Sequence, residues 1–190
     1  MKHSPLLRSH RKANAKLDEF HGWLLPLRYG RAYARESAGL ADSSWMTKLD
    51  VQGIVKTPAP VGVRLFHLGG LHGLVLCEPS SRTDADVWIA EERLSVTDVT
   101  GGYACFLLMG ASVREILAKL TSADLRESAL LDGRATQSTI AHAPGILLRA
   151  GIAYQILVPR DYAESVWESL LHAGEEFHLT HIGVEDVSSL

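Results

Sequence analysis

Soft metal ligands come closest together at His67, His72 and Cys77. A zinc site needs a fourth partner at fixed geometry, and this spacing fits poorly with the alternation of a strand pair. Ser80-Ser81 and Cys105 carry nucleophilic atoms, but no base and orienting group stand beside them in the sequence. Asp98 closes an apolar stretch just before Thr100-Gly101-Gly102, where capping a turn is the plain role for a carboxylate. Gly101-Gly102 is a turn and not a phosphate loop, because no helix start follows at the needed distance. The dinucleotide-binding glycine pattern is absent. Local motifs alone name no chemistry.

The elements that must position these residues are easier to read. Residues 5–19 are expected as a helix leading into a Gly22-Trp23 turn, with Pro26 and Gly30 holding an irregular segment after it. Residues 45–52 alternate as a half-buried strand with Trp45, Thr47, Leu49 and Val51 on one face. Thr57-Pro58-Ala59-Pro60 is a stiff connector, and strands are expected at Val63–Leu68 and Leu71–Cys77 around Gly69-Gly70. A short helix over 82–92 precedes a hairpin of Leu94–Val99 and Tyr103–Met109. Ser112 with Glu115 has the spacing of a capping box before the apolar positions Val113, Ile116, Leu117 and Leu120. Three more strands (Thr136–Ala141, Gly145–Arg149, Ala153–Val158) lead to a helix from Asp161 to Ala173, stopped by Gly174. Strands and helices interleave without strict alternation, so the expected class is α+β, a mixed or antiparallel sheet with flanking helices.

A chain of 190 residues can bury a proper core as one domain, 1–190. Its formal charge of −3 provides no field for nucleic acid or an anionic membrane. A basic start (Lys2, Arg8, Arg11, Lys12, Lys16) reads as a solvated helix face. Cys77 and Cys105 lie in apolar runs and are expected as buried free thiols. No apolar run approaches the ~20 residues of a membrane span, and no signal-like leader is visible, so a cytoplasmic protein is expected.

Phe20-His21-Gly22-Trp23-Leu24-Leu25-Pro26-Leu27-Arg28-Tyr29-Gly30, followed by Gly39-Leu40-Ala41-Asp42-Ser43-Ser44-Trp45-Met46, resembles the opening of the glycine-cleavage T-protein (aminomethyltransferase) family. Ser4-Pro5-Leu6, His10-Arg11, Leu157-Val158-Pro159, Trp167 to Leu171 and Gly183-Val184-Glu185-Asp186 stand in the same order as family blocks. The resemblance implies a folate-binding domain and one-carbon chemistry on tetrahydrofolate. It also implies roles: Met46 at the folate cavity, with Trp23 and Tyr29 near its entrance, unless Trp23 and Met46 are simply core.

Three features depart from that pattern. Family members carry a Gly-Gly-x-Ile-Asp-Asp run whose carboxylates serve the folate amine; here Gly69-Gly70-Leu71-His72-Gly73 has neither acid. His72, a residue type that titrates near neutrality, or Asp98 would have to act in their place. The acidic turn that clamps the pterin is missing between Arg149 and Tyr154, leaving Gln155 to offer one acceptor. The helix and loop after the first strand are compressed into residues 54–62, and the family's C-terminal barrel has no counterpart.

Residues 1–53 follow the T-protein start, whereas 94–177 resemble the gamma subunit of heterotetrameric sarcosine oxidase, most closely over 110–177. That subunit is regarded as a scaffold without its own catalytic centre. The resemblance therefore implies an accessory subunit of one-carbon or methylated-amine metabolism, partnered by an amine oxidase or a glycine-cleavage-type enzyme. A small tetrahydrofolate-dependent aminomethyltransferase and a folate-binding sensor are the alternatives. No metal is expected.

Overall fold

The computed structural model describes residues 1–30 and 38–188. The chain opens with β1 (Lys2–His3), α1 (Leu7–Lys12), β2 (Lys16–Phe20) and β3 (Trp23–Arg28). β2 and β3 pair antiparallel across His21-Gly22, whose φ angles of 49° and 80° suit a two-residue hairpin turn. The helix expected over 5–19 is thus only its first half. Asn14, at φ 54°, turns the chain out of α1, and residues 16–20 leave as a strand. The segment expected to be irregular is strand as far as Arg28. Pro26 sits opposite Leu17 at a register shift, where its missing N–H costs the ladder little.

β4 (Gly39–Asp42), β5 (Thr47–Gln52), β6 (Val63–Gly69), β7 (His72–Cys77), α2 (Arg82–Glu92), β8 (Ser95–Asp98), β9 (Tyr103–Met109) and α3 (Val113–Ala118) come next. β10 (Ala135–Ile140), β11 (Ala143–Ala150), β12 (Ala153–Pro159), α4 (Ala163–Gly174), β13 (Thr180–Ile182) and α5 (Val184–Ser188) complete the order. They make a three-stranded sheet (β1-β3-β2), a six-stranded sheet (β10-β11-β12-β9-β4-β13) and a four-stranded sheet (β6-β7-β5-β8). Among the described strands, only β1 with β3 and β4 with β13 run parallel, and the class is α+β.

The hairpin expected over 94–109 does not form. β8 pairs with β5, whereas β9 pairs with β12 and β4, so Thr100-Gly101-Gly102 carries the chain from one sheet into another. The capping box is also unmade: Ser112, at φ −95° and ψ 20°, is not extended and makes no side-chain cap bond. Gly174 is the last residue of α4, and the chain runs on through a 3-10 turn to His178, whose φ of 54° redirects it.

The layers stack as helices, sheet, sheet, helix. α4 buries Ala163, Val166, Trp167, Leu170 and Ala173 at helical spacing, and α3 adds Val113, Ile116 and Leu117. Both lie on the face of the six-stranded sheet that carries Phe106, Leu108, Tyr154 and Ile156. The opposite face presents Cys105, Ile146, Leu148 and Leu157 to Phe66, Leu74 and Leu76 of the four-stranded sheet. α2 covers the far side through Ala85, Trp88 and Ile89 against Leu49, Val51 and Val75. Trp23, Leu25, Trp45 and Val184 form a separate cluster between the small sheet and α5. Cys77 and Cys105 are buried free thiols, as their apolar settings predict. No described helix is long and apolar enough to cross a membrane.

Candidate functional site

Strand alternation decides what faces the space between the two larger sheets. In β5 and β7 the register pairs Lys48 with Leu76, Asp50 with Leu74 and Gln52 with His72. Leu74 and Leu76 pack toward the six-stranded sheet, so Lys48, Asp50 and His72 share that face. From the other side, Gln155 lies between Leu107 of β9 and Leu148 of β11, on the face that Leu148 turns toward the four-stranded sheet. Met46, in the turn before β5, packs against this inter-sheet cluster and against the Trp23 cluster.

Gln155 and Met46 meet directly. The Gln155 amide donates from Nε2 to the Met46 sulfur at 3.5 Å, and Gln155 is 2% exposed. Its Oε1 is buried and, among the described residues, has no hydrogen-bond partner. An unsatisfied buried acceptor of this kind costs about 1–3 kcal/mol. Lys48, fully buried, donates from Nζ to the carbonyls of Ser44 (2.8 Å) and Met46 (2.9 Å) and so fixes the turn that carries Met46. Burial pulls the Lys48 ammonium below its ordinary value, and burial likewise pushes the Cys105 thiol up to about 12. Residues 45–52 are expected as a half-buried strand, one face of which carries Thr47, Leu49 and Val51. β5 is instead a central strand, flanked by β7 and β8, with both faces covered.

His72 is not alone. Its Nε2 lies 2.8 Å from Oδ2 of Asp50, and both side chains are about one third exposed. Asp98 is engaged elsewhere: Oδ1 accepts from the Thr100 amide at 2.9 Å, and Oδ2 accepts from Arg82. Those bonds, against opposing burial, hold its carboxyl below the ordinary range. The two catalytic candidates are therefore not brought together.

Tyr29 stands apart from the Met46–Gln155 contact, whereas Trp23 belongs to the cluster on which Met46 packs. Trp23 is core, 5% exposed, with Lys2 Nζ 5.5 Å from its ring centre. The Tyr29 hydroxyl meets Nδ1 of His10 at 2.7 Å, and its ring stacks on His181. Nε2 of His10 meets the Asp42 carboxylate at 2.8 Å, and Asp42 also accepts from the Ser4 hydroxyl and the Ser44 amide. His10 and Asp42 have no side-chain exposure. Burial pushes the Tyr29 phenol well up and draws His181 down. The spacing of Ser4, His10, Tyr29 and Asp42 in the sequence gives no sign of this network, because four different segments supply it.

Tetrahydrofolate, which the resemblance implies, presents ring and exocyclic N–H donors and an apolar pterin face. An orphaned acceptor beside a thioether fits such a group at Gln155 and Met46. Tyr29 has its hydroxyl committed to His10, and Trp23 meets that contact only as part of the apolar cluster beneath Met46. Among the described residues, no three His, Cys, Asp or Glu side chains converge as a metal site. A cleft of about 410 Å³ opens beside the shortened β11–β12 turn, lined by Arg64, Phe66, Asp132, Arg149 and Gly151.

The GCVT N-terminal domain family matches residues 72–190. An aminomethyltransferase of Halothermothrix orenii is 25% identical, aligned over 97% of this chain and 62% of its own length. One from Herpetosiphon aurantiacus is 26% identical over 92% of this chain and 59% of itself. The chain spans about three fifths of the length of these curated relatives. Among solved structures, the glycine cleavage system aminomethyltransferase T of Bartonella henselae superposes with a TM-score of 0.73 at 21% identity, covering 100% of this chain and 61% of that one. A chain of the heterotetrameric sarcosine oxidase of a Corynebacterium species superposes with a TM-score of 0.66 at 19% identity, covering 94% and 97%. At such identities the two structures speak for the fold alone. The family match takes in well over half of the sequence, and the protein belongs to the GCVT N-terminal domain family.

Proposed function

We propose that this chain is a reduced T-protein-type domain, residues 1–190, that binds tetrahydrofolate and serves one-carbon or methylated-amine metabolism as a subunit beside a partner enzyme. The observation that carries the folate reading is the buried Oε1 of Gln155, an acceptor with no donor among the described residues, next to Met46. Gln155 would hold the amino-pyrimidine edge, and Met46 would lie against the pterin. The bound cofactor supplies an amine that carries one-carbon units. The subunit reading draws on the absent Asp-Asp pair and on the matching length of a chain from a heterotetrameric oxidase. An amine oxidase or a glycine-cleavage-type enzyme is the partner this favours, in the cytoplasm, where both thiols stay reduced.

A small aminomethyltransferase is the second reading, favoured by the pairing of His72 with Asp50. A sensor would bind folate without turning it over. Anaerobic titration calorimetry of the whole chain with tetrahydrofolate tests the shared premise. The expected result is micromolar binding, about −8 kcal/mol. No heat at millimolar folate would overturn every folate-binding reading, the proposed one included, and leave a partner-bound subunit that holds no folate.

A further inference from the structure

The cleft beside the β11–β12 turn has two walls of different make. One is β6, which contributes Arg64, Leu65 and Phe66. The Arg64 guanidinium stands 5.7 Å from the centre of the Phe66 ring and, among the described residues, makes no hydrogen bond or ion pair. The other wall is a pair of segments tied to each other. The Gly133 amide donates to the Arg149 carbonyl, and the Arg149 amide to the Arg134 carbonyl, each at 3.1 Å. Oδ1 of Asp132 accepts from the amides of Gly133 (3.1 Å) and Gly151 (2.7 Å). The Arg149 guanidinium is occupied by the carbonyls of Leu130 and Gly151 and by Glu127. Oδ2 of Asp132 has no hydrogen-bond partner among the described residues. Gly133 and Gly151 put no side chain into the space, and a Cβ at either would meet nothing within 4 Å.

The cleft of about 410 Å³ thus offers one uncommitted guanidinium and one uncommitted carboxylate oxygen, with Leu65, Phe66 and Ala150 as the apolar part of its lining. A simple anion would suit Arg64 and be repelled by Asp132, and a simple cation meets the reverse. A zwitterion satisfies both, its carboxylate on the guanidinium fork and its ammonium on Oδ2. We propose that this cleft binds a free α-amino acid with an apolar side chain. The inference goes beyond the folate reading and calls on neither Gln155 nor Met46.

The test follows backbone amide shifts of the ¹⁵N-labelled full chain as L-leucine is added. Two analogues keep its isobutyl group and one charge each: isocaproate has the carboxylate, isoamylamine the ammonium. In the wild type, leucine should shift the Gly133 and Gly151 amides with a Kd of about 1 mM or tighter, and each analogue should bind about tenfold more weakly. Arg64→Gln changes an exposed side chain, and Asp132→Asn removes the charge but keeps an oxygen for the two amides, so the remaining spectrum should stay as in the wild type. Each variant should weaken leucine by about tenfold. Asp132→Asn should at the same time strengthen isocaproate, and Arg64→Gln should strengthen isoamylamine. A merely loosened wall would not exchange the preferences in this way. Leucine bound equally by wild type and both variants, analogues as tight as leucine, or no shift at about 10 mM leucine overturns the proposal. A failed tetrahydrofolate titration leaves each of these readouts unchanged, so the two readings stand or fall separately.

Discussion

Gln155 keeps a polar atom in the interior that no other described residue satisfies, so its replacement separates stability from binding. Gln155→Leu should raise the unfolding free energy by about 1 kcal/mol in urea melts, because the orphaned acceptor disappears. The same change should weaken tetrahydrofolate by tenfold or more in calorimetry. Asp42 predicts the reverse. Burial opposes its charge, yet bonds from His10, Ser4 and Ser44 outweigh that and leave its carboxyl below the ordinary value. A depressed carboxylate contributes stability that is present above the unfolded value, about pH 4, and lost as pH falls through the folded one. Asp42→Asn should therefore cost about 3–5 kcal/mol near neutrality, the usual penalty for breaking a buried pair. It should also flatten the acid limb of a Tm-against-pH curve. Much of this was beyond reach from the sequence. The family resemblance points to Met46 and Gln155, which touch, but the partners that define each site come from distant segments. Asp50 is 22 residues from His72, with β6 between them, and Ser4 meets Asp42 only after the sheets close.

Elements were legible where local pattern decides them. α4 has its apolar residues at helical spacing, and β6 and β7 frame Gly69-Gly70 where a turn was expected. Reading failed where long-range pairing overrode local pattern. β8 and β9 look like two arms of a hairpin, yet each finds better partners in a different sheet. Residues 16–20 continue a helical composition, but pairing with β3 claims them as a strand. The short connector after β5 also owes its course to a distant residue. Glu92, at the end of α2, accepts from the amides of Lys56 (2.6 Å) and Thr57 (3.0 Å) and from the Thr57 hydroxyl. These bonds hold its carboxyl low, with the Thr57 hydroxyl the largest contributor. Glu92→Ala should release residues 54–62 and speed limited proteolysis there several-fold, with cleavage of the rest of the chain unchanged. Acidification should have the same effect on the wild type, since the anchoring charge is lost as pH falls through the folded value.

At the scale of the whole molecule, the two thiols report on how the layers come apart. Cys105 lies between the two larger sheets and Cys77 under α2, and burial raises both thiols. A disulfide reagent should react with neither in the native protein at pH 8 and with both in denaturant, at rates that follow unfolding. The separation of the sheets along the chain has a further consequence, for the order of assembly. Every strand of the four-stranded sheet, and every buried residue of the core beneath α2, comes from residues 47–98. The six-stranded sheet is completed by β4 and β13, which lie 141 residues apart at their pairing of Gly39 with Thr180. Short loops close before long ones, because the entropy lost on closure grows with length. The four-stranded unit can thus gather while the last helix is still being synthesised, and β13 docks on β4 as the closing step. In pulsed hydrogen exchange, amides of β5 and β7 should gain protection earlier than those of β4.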